Sequence, residues 1–246
     1  MKTSYLLLIL ALLILFGTTA AYDIALQKEY LKGDYKKPYG AYNQLNFRDF
    51  DSIEVVASHI IRTTIVQGDK FDVKLHKFAK DAHIEQKGSK LIVTFKTDMD
   101  AYYGNAASAL FIQCPSLKSI KTDAVYILNG DTITARKHGS NRFNSSQVLI
   151  KGFKQDNLSV EIDNFSTVLF RDNQFKFLHA DVGSQDSSRS TIDLDNSNQV
   201  LSAEIDLQQN SIMSLKDIFI NNFKYKLSDS AQVSLSGISL RLLSNK

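Results

Sequence analysis

The sequence predicts an all-β protein, a right-handed, single-stranded parallel β-helix (solenoid) with about 20–24 residues in each coil. Three observations predict this fold. A short pattern recurs about every 21 residues, a second strand-like stretch precedes four of its copies, and no helical periodicity accompanies them. One such coil is too small to bury its own apolar face, so the coils would have to stack. Right-handedness follows from the crossover rule for parallel strands.

The repeated pattern reads small, any, apolar, any, apolar, and its spacings are 22, 20, 24, 21 and 20 residues. Alternation along a strand places the two apolar side chains of each copy on one face, which we expect to be the inside. In the fifth copy, this register predicts that Met213 is buried and that Ile212 is not. The six copies begin at Ala124, Ser146, Ser166, Ser190, Ser211 and Ala231.

The second strand of the repeat is the stretch that precedes four copies of the pattern. We align these four stretches at Leu158, Leu178, Leu201 and Phe223, which are expected to be equivalent positions. Asn, Asp, Gly and Ser in the breaks between strands are residues that favour turns. A β-sandwich, with strands every 8–12 residues, is the alternative architecture. The repeat favours the solenoid because a sandwich has no reason to keep small and apolar residues in phase.

The N-terminal residues have the composition of a targeting segment. Residues 5–16 form an unbroken apolar run, and Thr19-Ala20-Ala21 fits a small-x-small cleavage signal. The run alone is too short for a bilayer, which needs about 20 residues, but extended to Tyr22 it could serve as an anchor. We therefore predict a signal peptide or membrane anchor at 1–21, a linker at 22–46, and the β-helix domain at 47–246.

Between the linker and the repeats, alternating apolar stretches predict further strands near 53–57, 60–66, 71–76, 90–95 and 109–114. Residues 98–108 predict a loop. The final stretch "ISLRLL" comes early for the period, so we expect it to cap the open end of the last coil.

Charge and motif content exclude several classes of function. The net charge is +3, and residues 156–215 contain ten Asp or Glu against three Lys or Arg. This argues against a nucleic-acid partner that follows the whole chain. Cys114 is the only cysteine, so no intramolecular disulfide can form, and its apolar surroundings predict a buried, inert thiol. No nucleophile elbow, phosphate loop or dinucleotide motif is present, and no histidine pair has zinc-binding spacing.

The segment that begins "FRDFDSIEVVASHIIRTTIVQGDKFDVKL", followed by "GSKLIVTF" and "FIQCPSLKSIKTDAV", resembles the "putative auto-transporter adhesin", or head GIN domain, family. The resemblance covers about 47–240. It implies a parallel β-helix of the bacterial cell envelope and no established activity. "KTDAVYI" departs from the glycine-containing step of that family, so wider turns are expected there. The matching residues are Phe50, Ile53, Val55, Gln67, Gly68, Asp69, Gly88, Leu91, Val93, Pro115, Leu117 and Ile120.

Alignment of the second strands places Glu161, Asp181 and Glu204 in one outward column, with Lys226 at its end. Stacked carboxylates repel one another, and a Ca²⁺ ion held by their oxygens would relieve the repulsion. The alternative interpretation is a solvated acidic face. Asp193 and Asp195 also point outward in this register and are predicted to be solubilising. No cofactor and no catalytic residue is predicted.

These observations predict a non-enzymatic, extracytoplasmic β-helix scaffold, secreted or anchored by its N-terminal helix, that binds a glycan or an envelope protein in the manner of an adhesin. The membrane is contacted only through residues 5–22, if they are not cleaved. A polysaccharide-active enzyme is one alternative, but the chain has no Trp, the favoured platform for sugar rings. A membrane-tethered envelope regulator is the other.

Overall fold

A computed structural model describes residues 3–33, 36, 39–98, 109–134, 147–184 and 189–243. The chain divides into two compact units, residues 1–42 and 43–246. In the first unit, helix α1 (Thr3–Lys32) continues well past the predicted cleavage site at Ala21. Its segment Tyr5–Lys32 is long and apolar enough to cross a membrane, and a signal sequence would meet the same criterion.

The second unit is mostly β and, in the part of the chain that the structure describes, forms two large sheets of nine and ten strands. The strands of the nine-stranded sheet, in spatial order, are β1 (Tyr42–Leu45), β4 (Asp72–His76), β7 (Ala109–Cys114), β3 (Arg62–Gln67), β11 (Val148–Lys151), β13 (Thr167–Arg171), β15 (Thr191–Asp195), β17 (Ile212–Lys216) and β19 (Gln232–Ser236).

The ten-stranded sheet is built in the same manner and carries one extra strand, β5 (Ala82–Lys87), which pairs with β6. Its strands, in spatial order, are β10 (Asp131–Thr134), β9 (Val125–Leu128), β6 (Lys90–Thr97), β2 (Ser52–Val55), β8 (Ser119–Thr122), β12 (Lys154–Ile162), β14 (Gln174–Val182), β16 (Gln199–Leu207) and β18 (Ile220–Leu227).

The prediction of a single-stranded parallel β-helix solenoid is wrong, because the two sheets are mixed. Antiparallel pairs form between β4 and β7, between β5 and β6, and between β9 and β10. Short turns explain two of them. Gly88, with φ +59°, lies between β5 and β6, and Asn129 and Gly130, with φ +50° and +88°, join β9 to β10. Two-residue turns with positive φ favour hairpins, so these segments pair antiparallel.

From β11 onward, consecutive strands alternate between the two sheets, and each pairs in parallel with the strand two places along the chain. The inward apolar positions predicted from the repeat are fully buried in four of its copies. Met213 is buried and Ile212 is half-buried, so the predicted register of the fifth copy is confirmed. The buried pairs are Val148/Ile150, Val168/Phe170, Ile192/Leu194 and Met213/Leu215.

The small residue that opens the fifth copy, Ser211, has a steric explanation. Ser166, Ser190 and Ser211 are fully buried where the chain passes from one sheet to the other. A Cβ atom on Gly183, whose φ is +82°, would lie 2.1 Å from Ser211 Oγ and 2.7 Å from the carbonyl oxygen of Gln208. The corner has no room for a larger side chain at either position.

Two buried asparagines form hydrogen bonds with backbone groups where the chain passes from the nine-stranded to the ten-stranded sheet. Asn173 Nδ2 donates to the carbonyl oxygen of Ile150 and to Asn198 Oδ1, both at 2.9 Å. Asn198 Nδ2 in turn donates to the carbonyl oxygen of Phe170 at 2.9 Å. Buried backbone groups that lack a strand partner need hydrogen bonds from side chains instead. The two stacked asparagines, an asparagine ladder, therefore fix the start of β14 and β16 in the ten-stranded sheet.

The last described segment is a 3-10 helix, Gly237–Leu243. Its Ser239 forms hydrogen bonds with the backbone of Ile218, which follows β17. Ser239 Oγ accepts from the backbone N–H of Ile218 at 2.9 Å and donates to its carbonyl oxygen at 2.8 Å. Two predictions lie outside the described residues: the loop at 98–108 beyond Asp98, and the start of the second repeat copy at Ser146.

Candidate functional site

Strands β12, β14, β16 and β18 of the ten-stranded sheet all bend at the same place. Backbone pairing between neighbours skips one residue in each strand and resumes at the next. Two consecutive side chains therefore point away from the core, which regular alternation does not allow. These outward pairs are Asp156/Asn157, Lys176/Phe177, Leu201/Ser202 and Asn221/Asn222.

An open groove of about 540 Å³ lies across the beginnings of these strands. Its floor is apolar, because it is formed by the side chains of Phe175 and Val200, which are 3% and 4% exposed. Amide side chains from successive strands, Gln174 and Gln199, line it side by side, since the two residues are paired in register. Neighbouring strands are about 4.8 Å apart, so the groove presents hydrogen-bonding groups at a regular interval.

Charged and apolar side chains complete the wall of the groove. Lys176 Nζ lies 2.8 Å from Asp156 Oδ1, and both side chains are mostly exposed. Leu201 is 50% and Phe219 is 46% exposed, although both are large apolar residues. Exposed apolar surface beside convergent polar groups is the usual composition of a binding site.

The groove lacks the groups that hydrolysis of a sugar chain needs. Among its described lining residues, Asp156 is the only carboxylate, and it is paired with Lys176. A glycosidase of the usual kind requires two carboxyl groups that flank the scissile bond. The arrangement can hold a ligand by hydrogen bonds and apolar contact, but it offers no acid–base pair.

The three residues of the predicted calcium column do not share one row. Glu161 is paired with Asp181, as expected, but the neighbour of Asp181 on β16 is Asp206. Glu204 lies beside His179 instead. The predicted equivalence of Leu178 with Leu201 is therefore wrong by two residues, because Leu178 pairs with Ala203.

Partners within the sheet occupy part of this acidic row. Glu161 pairs with Lys121 of β8, and His179 Nε2 lies 3.2 Å from Asp181 Oδ2. In the described ranges, no group of three or more His, Cys, Asp or Glu side chains has a geometry that could hold a metal ion. Calcium binding at Glu161, Asp181 and Glu204 stays a prediction from the sequence.

Asp193 was predicted to be an outward, solubilising residue, but its side chain is only 8% exposed. Arg171 Nη2 lies 2.8 Å from Asp193 Oδ1, and Lys216 Nζ lies 2.6 Å from Asp193 Oδ2. Burial alone would raise the pKa of Asp193, but hydrogen bonds from Lys216 and Arg171 outweigh it and hold that pKa below its usual value. Arg171 also reaches Asp195 at 3.0 Å, so this cluster ties β13, β15 and β17 together.

Two buried titratable side chains have strongly shifted pKa values. Cys114 is fully buried, which confirms the predicted burial, and that burial raises the pKa of its thiol to about 12. Burial lowers the pKa of His59 to about 3, so the imidazole is neutral in the folded protein. Its ring centre lies 5.2 Å from that of Tyr126, in the core rather than in the groove.

The residues that carry the resemblance to the head GIN domain family are structural. Most of the apolar ones are at most 1% exposed and belong to the core. Gly68 lies against the side chain of Gln113, which a Cβ atom would overlap at 2.4 Å. The buried members are Phe50, Ile53, Val55, Leu91, Val93, Leu117 and Ile120.

No protein-family model matches the chain, and no curated protein matches its sequence. Solved structures do match. One, described as a "putative adhesin" from Parabacteroides distasonis, is 14% identical, covers 79% of this chain and 73% of its own, and has a TM-score of 0.51. This likeness shows a shared fold.

Two further solved structures are more distant in shape. A "putative adhesin" from Bacteroides fragilis is 9% identical over 79% of this chain and 96% of its own, with a TM-score of 0.40. A "putative lipid binding protein" from Parabacteroides distasonis is 15% identical over 80% of this chain and 94% of its own, with a TM-score of 0.34.

Proposed function

We propose that this protein is a non-enzymatic binding protein of the bacterial cell envelope, and that the groove across β12, β14, β16 and β18 binds an extended glycan in the manner of an adhesin. The observation that carries the proposal is the row of amide side chains beside exposed Phe219 and Leu201, above an apolar floor. The fold shared with the protein described as a "putative adhesin" supports it. Membership of the head GIN domain family is part of the same proposal.

A glycan fits this groove better than a compact apolar ligand. Glutamine and asparagine side chains both donate and accept hydrogen bonds, so they match sugar hydroxyl groups, which also do both. Phe219 presents an aromatic surface to which the apolar face of a sugar ring can pack. The groove is open rather than enclosed and runs across several strands. These properties favour a chain of several sugar units over a single small molecule.

Variants of the groove test the proposal. Phe219→Ala and Gln199→Ala should each weaken glycan binding about tenfold, because central contacts of this kind contribute more than about 1 kcal/mol each. The measurement is binding to an immobilised glycan array, followed by the dissociation constant for the best ligand. Phe78→Ala is the matched control, since Phe78 is 75% exposed and lies outside the groove.

Different outcomes would support the alternatives. Binding that survives both groove variants would overturn the proposed site. Release of a shortened glycan, lost in Glu161→Gln or Glu204→Gln, would show an enzyme instead. A protein ligand recovered from the envelope, with no glycan bound on the array, would support the scaffold or regulator interpretation.

We further propose that residues 1–21 are a cleaved signal peptide. Four lysines, Lys28, Lys32, Lys36 and Lys37, follow the apolar segment, whereas only Lys2 precedes it. A retained anchor with an extracytoplasmic domain would place the lysine-rich flank on the side that membrane proteins avoid. Sequencing of the mature N-terminus should therefore find Tyr22 as the first residue. A mature chain that begins at Met1 would instead support an anchored regulator.

A further inference from the structure

We propose that the outer edge of β18 binds an extended partner segment in which acidic residues alternate with apolar ones, so that the segment adds a strand to the ten-stranded sheet. This site is separate from the glycan groove and does not depend on it. Three features of β18 support the proposal: its place at the edge of the sheet that the described residues form, its partly covered inward side chains and its outward lysines.

The edge itself is the first feature. β18 pairs in parallel with β16, and it is the last strand of its sheet among the described residues. It runs for eight residues, Ile220–Leu227, without proline. An edge of this length presents unpaired backbone N–H and C=O groups, which can receive another strand.

The second feature is the inward row of the same strand. In β16, the inward residues Ala203, Ile205 and Leu207 are at most 1% exposed. Their neighbours on β18 are Phe223, Tyr225 and Leu227, none of which is buried, and Leu227 is 42% exposed. The core therefore ends in apolar side chains that a further strand with apolar residues would cover.

The third feature is charge. The outward residues of β18 include Lys224 and Lys226, which lie beside Glu204 and Asp206 of β16. Opposite charges in neighbouring strands stabilise pairing, and like charges directly opposite destabilise it. An added strand with acidic residues at its outward positions would place a carboxylate on the free side of each lysine.

The same lysines argue against a second copy of this chain as the occupant. If two β18 edges paired antiparallel with their outward faces on the same side, the outward residues Asn222, Lys224 and Lys226 of one copy would face those of the other. At least one lysine would then face a lysine or an asparagine, with no carboxylate to pair with it. Lysines on an edge strand are a known protection against such self-pairing.

The test uses the purified full-length chain and two capped eight-residue peptides, one alternating Val with Glu and one alternating Val with Lys. The Val/Glu peptide should bind at least about tenfold more tightly, and its affinity should fall as salt is added. Backbone amides within 223–227, the part of β18 outside the groove, should become protected from hydrogen exchange when it binds. Equal binding of both peptides, absence of binding, or protection confined to the groove would overturn the proposal.

Two variants make the charge argument specific. The double variant Lys224→Gln/Lys226→Gln should reduce the preference for the Val/Glu peptide to less than about threefold, while the thermal unfolding temperature confirms that it folds. Lys154→Gln/Lys176→Gln removes the same charge from the groove and should leave the peptide preference unchanged. If the groove variant abolishes the preference and the β18 variant keeps it, the binding site lies in the groove and the proposal is wrong.

Discussion

The free energy of unfolding should fall by about 3 kcal/mol between about pH 7 and pH 4 through His59 alone. The pKa of His59 is about 3 in the folded protein, against an ordinary value of 6.5. Between these two values the unfolded chain binds a proton at His59 and the folded chain does not. Stability is therefore lost as pH falls through this window and is regained as pH rises above about 6.5.

The variant His59→Phe isolates this effect, because it keeps an aromatic ring beside Tyr126 and removes the titrating group. Urea unfolding at a series of pH values should show a shallower loss of stability in His59→Phe than in the wild type between about pH 6.5 and pH 4. His83→Phe is the control, since His83 is exposed on β5. Parallel curves for the wild type and His59→Phe would show that His59 is not buried as a neutral imidazole.

Gly183→Ala should lower the free energy of unfolding by about 4 kcal/mol, because two costs add at one position. The first is the positive φ of +82°, which strains any residue with a Cβ atom. The second is overlap of that Cβ with Ser211 Oγ at 2.1 Å and with the carbonyl oxygen of Gln208 at 2.7 Å. The carbonyl belongs to the backbone and cannot rotate away as a side chain can.

Gly152→Ala separates the two costs. Its φ is +77°, close to that of Gly183, but a Cβ atom there would meet nothing within 4 Å. Gly152→Ala should therefore lower stability by only about 1 kcal/mol, through backbone strain alone. Chemical denaturation of both variants gives the comparison. Equal losses would mean that the close approach of the two corners does not exist in solution.

The inward positions of the repeat could be predicted from the sequence because they depend on a local rule. Alternation within a strand and a small residue at the corner identified the buried side chains of Phe170, Leu194 and Leu215. The corner serine of the fifth copy, Ser211, is explained by its close approach to Gly183. Local periodicity of this kind can be recognised from the order of apolar and polar residue types in the sequence.

The overall architecture could not be predicted from the same repeat. Two of the antiparallel pairs depend on turns such as Asn129-Gly130, whose positive φ angles select a hairpin. A repeat that begins only at residue 124 contains no information on how strands from 42 to 114 insert beside it. The prediction applied the repeat of the C-terminal part to the whole domain. The sheets are mixed because strands that precede β11 form antiparallel pairs.

The register error at Leu201 has a different cause. Paired strands are offset by 20 residues between β12 and β14, but by 25 between β14 and β16. The sequence alignment makes Leu201 equivalent to Leu158 and Leu178, which are buried, yet Leu201 is 50% exposed and lines the groove. A residue type predicts burial only on average, and a binding surface is the place where an apolar residue departs from it.

The groove was missed because it depends on a bend that all four strands share. Adjacent polar residues such as Asp156-Asn157 and Asn221-Asn222 interrupt the alternation at equivalent positions, and they are the signal that could have located it. The asparagine ladder of Asn173 and Asn198 was missed for a similar reason. Each asparagine precedes a second-sheet strand, but only the structure shows that both are buried and bonded to the backbone.

Amide hydrogen exchange of the protein with and without its best glycan ligand tests the proposed function most directly. The account predicts protection at the strand beginnings that line the groove, residues 154–156, 174–176, 198–201 and 219–221, with little change in the nine-stranded sheet. It also predicts that Phe219→Ala removes this protection. Protection confined to the first sheet or to the loop around Phe78 would contradict the assignment of the groove as the binding site.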